Sequence, residues 1–196
     1  WVLAGVPAVN GEGSDIAVDP AGRGAYVATY TSHFENTLED QGVLLAISSA
    51  GAVRWMSVQG SADTVDYFGA VVVSTDGRKV FAGGHGFDNF DLLAEGAGLT
   101  IQQFKASNGK ARKARRVEPT ERGHEYLSDM VRTPTGGFLV VGESCPVAEI
   151  CAAVLWHVSR RGQILASAET LAGGPDADIV LASPESHFVG LLADGS

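Results

Sequence analysis

A chain of 196 residues with 45% apolar and 19% charged residues is long enough to bury a real core and too apolar to be disordered. Its net charge of −9 disfavours a phosphate backbone as partner, and no stretch approaches the roughly 18 apolar residues that a bilayer span requires. The 25 glycines fall mostly at polar turns between short apolar runs, which predicts many short strands.

In chain order, Trp1-Val2-Leu3-Ala4-Gly5-Val6 reads as a strand, without the basic region and long apolar core of a signal peptide. The chain has no initiator Met, so a processed product or a segment of something longer is expected. Ser14 to Gly22 followed by Ala25 to Tyr30 then reads as strand, turn, strand. Val43 to Ile47 forms a third apolar run before the turn at Ala50-Gly51, and Val53 to Val58 a fourth. The same grammar returns in Gly69 to Gly77 with Val80 to Gly83, then Leu99 to Phe104 before Asn108-Gly109, then Lys110 to Val117. It returns again in Ser128 to Gly136 with Phe138 to Gly142, then Ala153 to Val158 before Arg161-Gly162, then Gln163 to Ala168. A last copy, Asp178 to Glu185 with Phe188 to Gly190, runs into the chain end.

Four short strands in a unit of roughly fifty residues is the signature of a β-propeller blade. Helical spacing is not sustained except around Glu149 to Leu155, where β-branched residues and flanking cysteines favour a loop leading into a strand. A β-sandwich would give many strands without this repeated grammar. The expected fold class is therefore all-β, with blades of four antiparallel strands in one segment. A blade end is expected at 1–10, blades at about 11–60, 61–118 and 119–170, and a partial blade at 171–196. Three full blades with parts of two others make an incomplete ring, because propellers close with roughly 4 to 8. An open blade face is apolar, so the expected partner is protein that completes the propeller, or another subunit.

The hairpin Asp15-Ile16-Ala17-Val18-Asp19-Pro20-Ala21-Gly22 with Ala25-Tyr26-Val27-Ala28-Thr29-Tyr30-Thr31 resembles the bacterial β-propeller repeat family, whose blades read Ile-Ala-Val-Asp, a Gly turn, Tyr-Val and Gly-Tyr-Thr. The other units match in pattern more than in letters. The resemblance implies a secreted, surface or periplasmic location, thus extracytoplasmic, and implies little about chemistry.

Enzyme motifs fail to assemble. His124-Glu125 has no His four positions after His124, Gly142-Glu143-Ser144-Cys145 is not a nucleophile elbow, and Gly84-His85-Gly86 is not a phosphate loop. The loops entering each unit carry Glu12 and Asp15, Asp63 and Asp66, Glu125 and Asp129, and Asp176 and Asp178. Such a ring of carboxylates would suit Ca²⁺ or a cationic ligand, and no other cofactor is expected. The plainer alternative is that these residues cap turns. The stretch Gly83 to Gly98 reads as a long loop with His85, Phe87, Asp88, Phe90 and Asp91, and its counterpart Tyr30 to Gln41 carries His33 and Phe34. Aromatics beside carboxylates equip a loop for sugar or partner recognition, or else tuck beneath it. The basic run Lys110 to Arg116 reads as an outer edge strand with charge on both faces, guarding against edge-to-edge pairing, and not as a nucleic-acid site.

Cys145 and Cys151, in Cys-Pro-Val-Ala-Glu-Ile-Cys, fit a loop disulfide of an oxidising compartment or a pair of reduced, half-buried thiols. The combined expectation is a non-enzymatic, extracytoplasmic propeller segment acting in partner or carbohydrate binding or as a scaffold in a surface assembly. The alternative is a fragment of a propeller enzyme, a hydrolase, lyase or quinoprotein, with catalytic residues mostly outside this chain.

Overall fold

The computed structural model describes residues 13–31, 41–59, 64–88, 98–112, 115–117, 124–145 and 152–170. The expected end strand at Trp1 to Val6 and the last copy at 178–190 lie outside them. Every regular element described is a β-strand, and no helix among them is long and apolar enough to cross a membrane. β1 (Gly13–Val18), β2 (Gly24–Thr31), β3 (Gln41–Ser48) and β4 (Val53–Gln59) pair in chain order into the first antiparallel sheet. β5 (Thr64–Val73), β6 (Lys79–Asp88), β7 (Gly98–Lys105) and β8 (Arg115–Arg116) make the second. β9 (His124–Arg132), β10 (Phe138–Cys145), β11 (Ala152–Val158) and β12 (Ile164–Thr170) make the third. Among the described residues the three sheets do not close into a ring.

The tight turns are where the glycines dictate them. Gly22, Gly77 and Gly136 have φ of 71°, 63° and 85°, and each donates its N–H to the carbonyl three residues back, at Asp19, Ser74 and Thr133. The side chains of those three residues also accept backbone N–H groups, so each turn is held by its own first residue.

Two expectations are corrected. The stretch after Gly83 is not all loop: β6 continues to Asp88, because β5 reaches back to Thr64 and supplies a partner for every residue of it, Tyr67 opposite His85 and Val65 opposite Phe87. The basic run is not one continuous strand. Ala111 bridges to Phe104, the Arg112 N–H donates to the Gln103 carbonyl, and among the described residues of the run only Arg115–Arg116 form strand. The Gln102 side-chain amide donates to the Arg112 carbonyl.

The sheets stack face to face in chain order. β5 lies against β1, β2 and β3, and β9 against β5, β6 and β7, so the first strand of each sheet nests on the first three of the sheet before it. Alternation along the strands supplies both faces of each contact. Tyr26, Ala28, Leu44 and Ala46 of the first sheet meet Val71, Val80, Ala82 and Phe104 of the second. From its other face Phe81, Leu99 and Ile101 meet Leu127, Met130, Phe138, Val140 and Trp156 of the third. Phe68 packs edge-on to Phe104, and Phe81 edge-on to Phe138, geometries that ring quadrupoles favour.

Candidate functional site

The first strands share an irregularity that builds one edge of the stack. Ladder pairing skips Ser14 in β1, Gly69 in β5 and Ser128 in β9, so each carries a β-bulge at the same place in the repeat. A bulge bends its strand and shifts the side-chain alternation by one residue. Residues before the bulge are thereby re-aimed relative to those after it. Ser14 is itself the bulge residue of β1, Tyr67, Glu125 and Tyr126 stand before their bulges, and Tyr30 and His85 lie at the same end on β2 and β6.

Four rings there make a continuous run across the three sheets. Tyr30 lies 4.7 Å from Tyr67 between ring centroids, Tyr67 stacks on His85 at 4.9 Å and 23°, and Tyr126 meets His85 edge-on at 5.1 Å. The Ser14 hydroxyl donates to the Tyr67 oxygen at 3.2 Å, tying the first sheet into the cluster. All four rings are half-buried, and Glu125, next to Tyr126, is 1% exposed. Burial holds the His85 imidazole down to about 4, so near neutral pH it is an uncharged donor and acceptor.

Two of the expected cation ligands occupy one repeat position just past the bulge, Asp15 on β1 and Asp129 on β9, where β5 carries Ala70. Asp15 receives the Val71 N–H at 2.7 Å from the second sheet and the Ile16 N–H at 2.6 Å. Its carboxyl is raised by burial, against the pull of those two bonds. Asp129 receives the Met130 N–H at 2.7 Å and is raised to about 6, first by burial and then by the charge of Asp15. Among the described residues no group of three or more His, Cys, Asp or Glu stands ready to hold a metal ion.

Of the other expected site residues, Asp66, Phe87 and Asp88 are placed by backbone pairing alone, in β5 and β6. His33, Phe34, Asp63, Phe90, Asp91, Asp176 and Asp178 lie outside the described residues. Cys145 ends β10 opposite His124, while Cys151, and with it the expected disulfide, lies outside them. His85 is thus the one ring that sequence reasoning named and the structure places in the cluster. Tyr67 and Tyr126 were missed, although each stands three residues before its repeat's bulge-flanking position, Ala70 or Asp129. Comparison with known proteins finds no family model and no curated protein that matches this chain.

Proposed function

We propose that this chain is a segment of a β-propeller akin to the bacterial β-propeller repeat family, working outside the cytoplasm as a non-enzymatic module that binds carbohydrate. The three four-stranded sheets among the described residues are blades, and β1, β5 and β9 are their innermost strands, facing the axis. The observation that carries the binding reading is the run of Tyr30, Tyr67, His85 and Tyr126 across three sheets at one edge.

A pyranose ring presents an apolar C–H face that covers an aromatic ring, and a rim of hydroxyls that need partners. Half-buried tyrosines supply both, an apolar body and a polar tip. A neutral imidazole adds a donor and an acceptor without a charge to desolvate. With a net charge of −9, the chain favours neutral or amino sugars over acidic ones. Strand residues on a packed scaffold are preorganised, which lowers the ordering cost of binding.

Titration against a panel of neutral, amino and acidic oligosaccharides tests this. Binding should appear with the first two classes, and Tyr67→Ala should weaken it by at least about tenfold, equivalent to about 1.4 kcal/mol. If no sugar binds, or if Tyr67→Ala and Tyr126→Ala both bind as the parent does, the carbohydrate reading falls.

A further inference from the structure

We propose that the end of the stack formed by its tight turns docks on an anionic lipid membrane, separately from the ring cluster at the opposite end. Consecutive strands pair antiparallel, so the turns at 19–24, 48–52, 74–79, 105–110, 133–137 and 159–163 fall at one end. Contacts between turns hold them level. Arg23 Nη2 donates to the Gly77 carbonyl, the Ser49 N–H to the Arg23 carbonyl and the Ala106 N–H to the Arg78 carbonyl. In the third sheet Arg132 lies over the Phe81 ring at 5.2 Å, which brings its turn beside that of the second. Most of the chain's 14 Lys and Arg belong to these turns or to the residues next to them. Lys105 and Lys110 flank one turn, Arg78 and Lys79 close another, and Arg160 and Arg161 form the tip of a third, all six exposed. Among the described residues two carboxylates share this end. Asp19 is buried beneath Arg23, and Asp76 accepts the Ser74 hydroxyl and the Arg78 N–H. Asp66, Asp88, Glu125 and Glu143 sit in the far halves of β5, β6, β9 and β10, so charge is separated along the strands.

This separation lets an acidic chain meet a negative surface. A strand of eight residues such as β2 spans about 26 Å, about three times the Debye length of about 8 Å at physiological salt. An anionic plane at the turn end therefore meets the near cations, while the far carboxylates are screened from it. Each Lys or Arg held near such a plane is worth about fivefold in affinity. An apolar border favours a bilayer over a dissolved polyanion. Val18, Val53 and Leu165, each within two residues of a tight turn, are 63%, 38% and 59% exposed, and apolar side chains beside cations gain by entering the headgroup region. Docking by this end leaves Tyr30, Tyr67, His85 and Tyr126 facing away from the membrane, so it does not depend on what the rings bind.

Flotation of the full chain with vesicles tests this, using phosphatidylcholine alone and phosphatidylcholine with phosphatidylglycerol in equal parts. The chain should float with the mixed vesicles and not with the neutral ones, and raised salt should release it. Lys105→Gln with Lys110→Gln, and Arg160→Gln with Arg161→Gln, should each weaken binding by at least about tenfold and melt as the parent does, because all four positions are exposed. Absence from the mixed vesicles, equal capture by the neutral ones, tighter binding to soluble polyphosphate or duplex DNA, or no loss in either double variant would overturn the proposal. Tyr67→Ala should float as the parent does, and both double variants should leave the oligosaccharide titration unchanged, so the two readings fail separately.

Discussion

Gly109 turns the chain after β7 with φ of +67°, and a Cβ built there would stand 2.5 Å from a ring atom of Trp55 in the neighbouring sheet. Gly22 has a similar φ of +71° but nothing within 4 Å of the same hypothetical atom. Alanine at Gly22 meets backbone strain alone, about 1 kcal/mol, while alanine at Gly109 also displaces a ring whose Nε1 donates to the Ala106 carbonyl at 3.0 Å. Urea midpoints should therefore show Gly109→Ala losing at least about 2 kcal/mol and Gly22→Ala about half that; equal losses would mean that Trp55 yields freely. Titrating groups at the ring edge act in opposite senses. Asp129 at about 6 binds its proton more tightly folded than unfolded, so its contribution is full below the ordinary carboxylate value and is lost as pH rises through 6. His85, held at about 4, contributes above its ordinary value near 6.5 and loses that as pH falls through 4. The two offset each other between pH 4 and 6.5. Asp129→Asn should therefore melt above the parent at pH 7.5 and fall relative to it as pH drops to 5, and a melting difference that does not change with pH would contradict this assignment.

Among the elements, the β1–β2 turn does more than reverse the chain. Asp19, 1% exposed, accepts from Arg23 Nε at 2.8 Å, from the Tyr26 hydroxyl at 3.0 Å and from the Ala21 N–H at 2.9 Å. Burial alone would raise its carboxyl; those hydrogen bonds outweigh burial and hold it below the usual range. Through Arg23, which donates to the Gly77 carbonyl at 2.5 Å, the same carboxylate braces the first turn of the second sheet. The equivalent positions Ser74 and Thr133 cap their own turns without reaching a neighbouring sheet in this way. Asp19→Ala removes the nearer acceptor of the buried Tyr26 hydroxyl, which keeps only the Ala106 carbonyl at 3.5 Å, and loosens Arg23 from the turn, and should cost about 2 kcal/mol in urea unfolding. Ser74→Ala should cost about 1 kcal/mol. A similar loss at both would show that Asp19 serves only its own turn.

For the molecule as a whole, stacking places the second sheet between two others, with Val71 and Phe104 buried on one face and Phe81 and Ile101 on the other. Leu165 of β12 is 59% exposed, as are Ile16 and Val18 of β1 at similar values. Amide hydrogen exchange should thus be slowest in β6 and β7 and faster in β1 and β12, because local opening is hardest where apolar burial is two-sided. If β12 exchanges as slowly as β6, the outer faces are as well covered as the inner ones, and two-sided burial does not set the order of opening.

Much of this architecture is legible in the sequence because its causes are local. A glycine that alone tolerates φ near +70° at Gly22, Gly51, Gly77, Gly109, Gly136 and Gly162 marks the turns, and period-two apolar runs mark the strands between them. Self-similarity then groups the strands in fours. The ring cluster was not legible in the same way. Tyr67 and His85 are 18 positions apart and Tyr126 is farther still, so only pairing and stacking of sheets bring them to one edge. The bulges at Ser14, Gly69 and Ser128 break the period-two rule there, so alternation counted from the turns assigns the residues beyond them to the wrong face. Turn and strand positions follow from the conformational limits of single residues. Which aromatic rings meet depends on register shifts and on sheet nesting, and only the tertiary structure decides both.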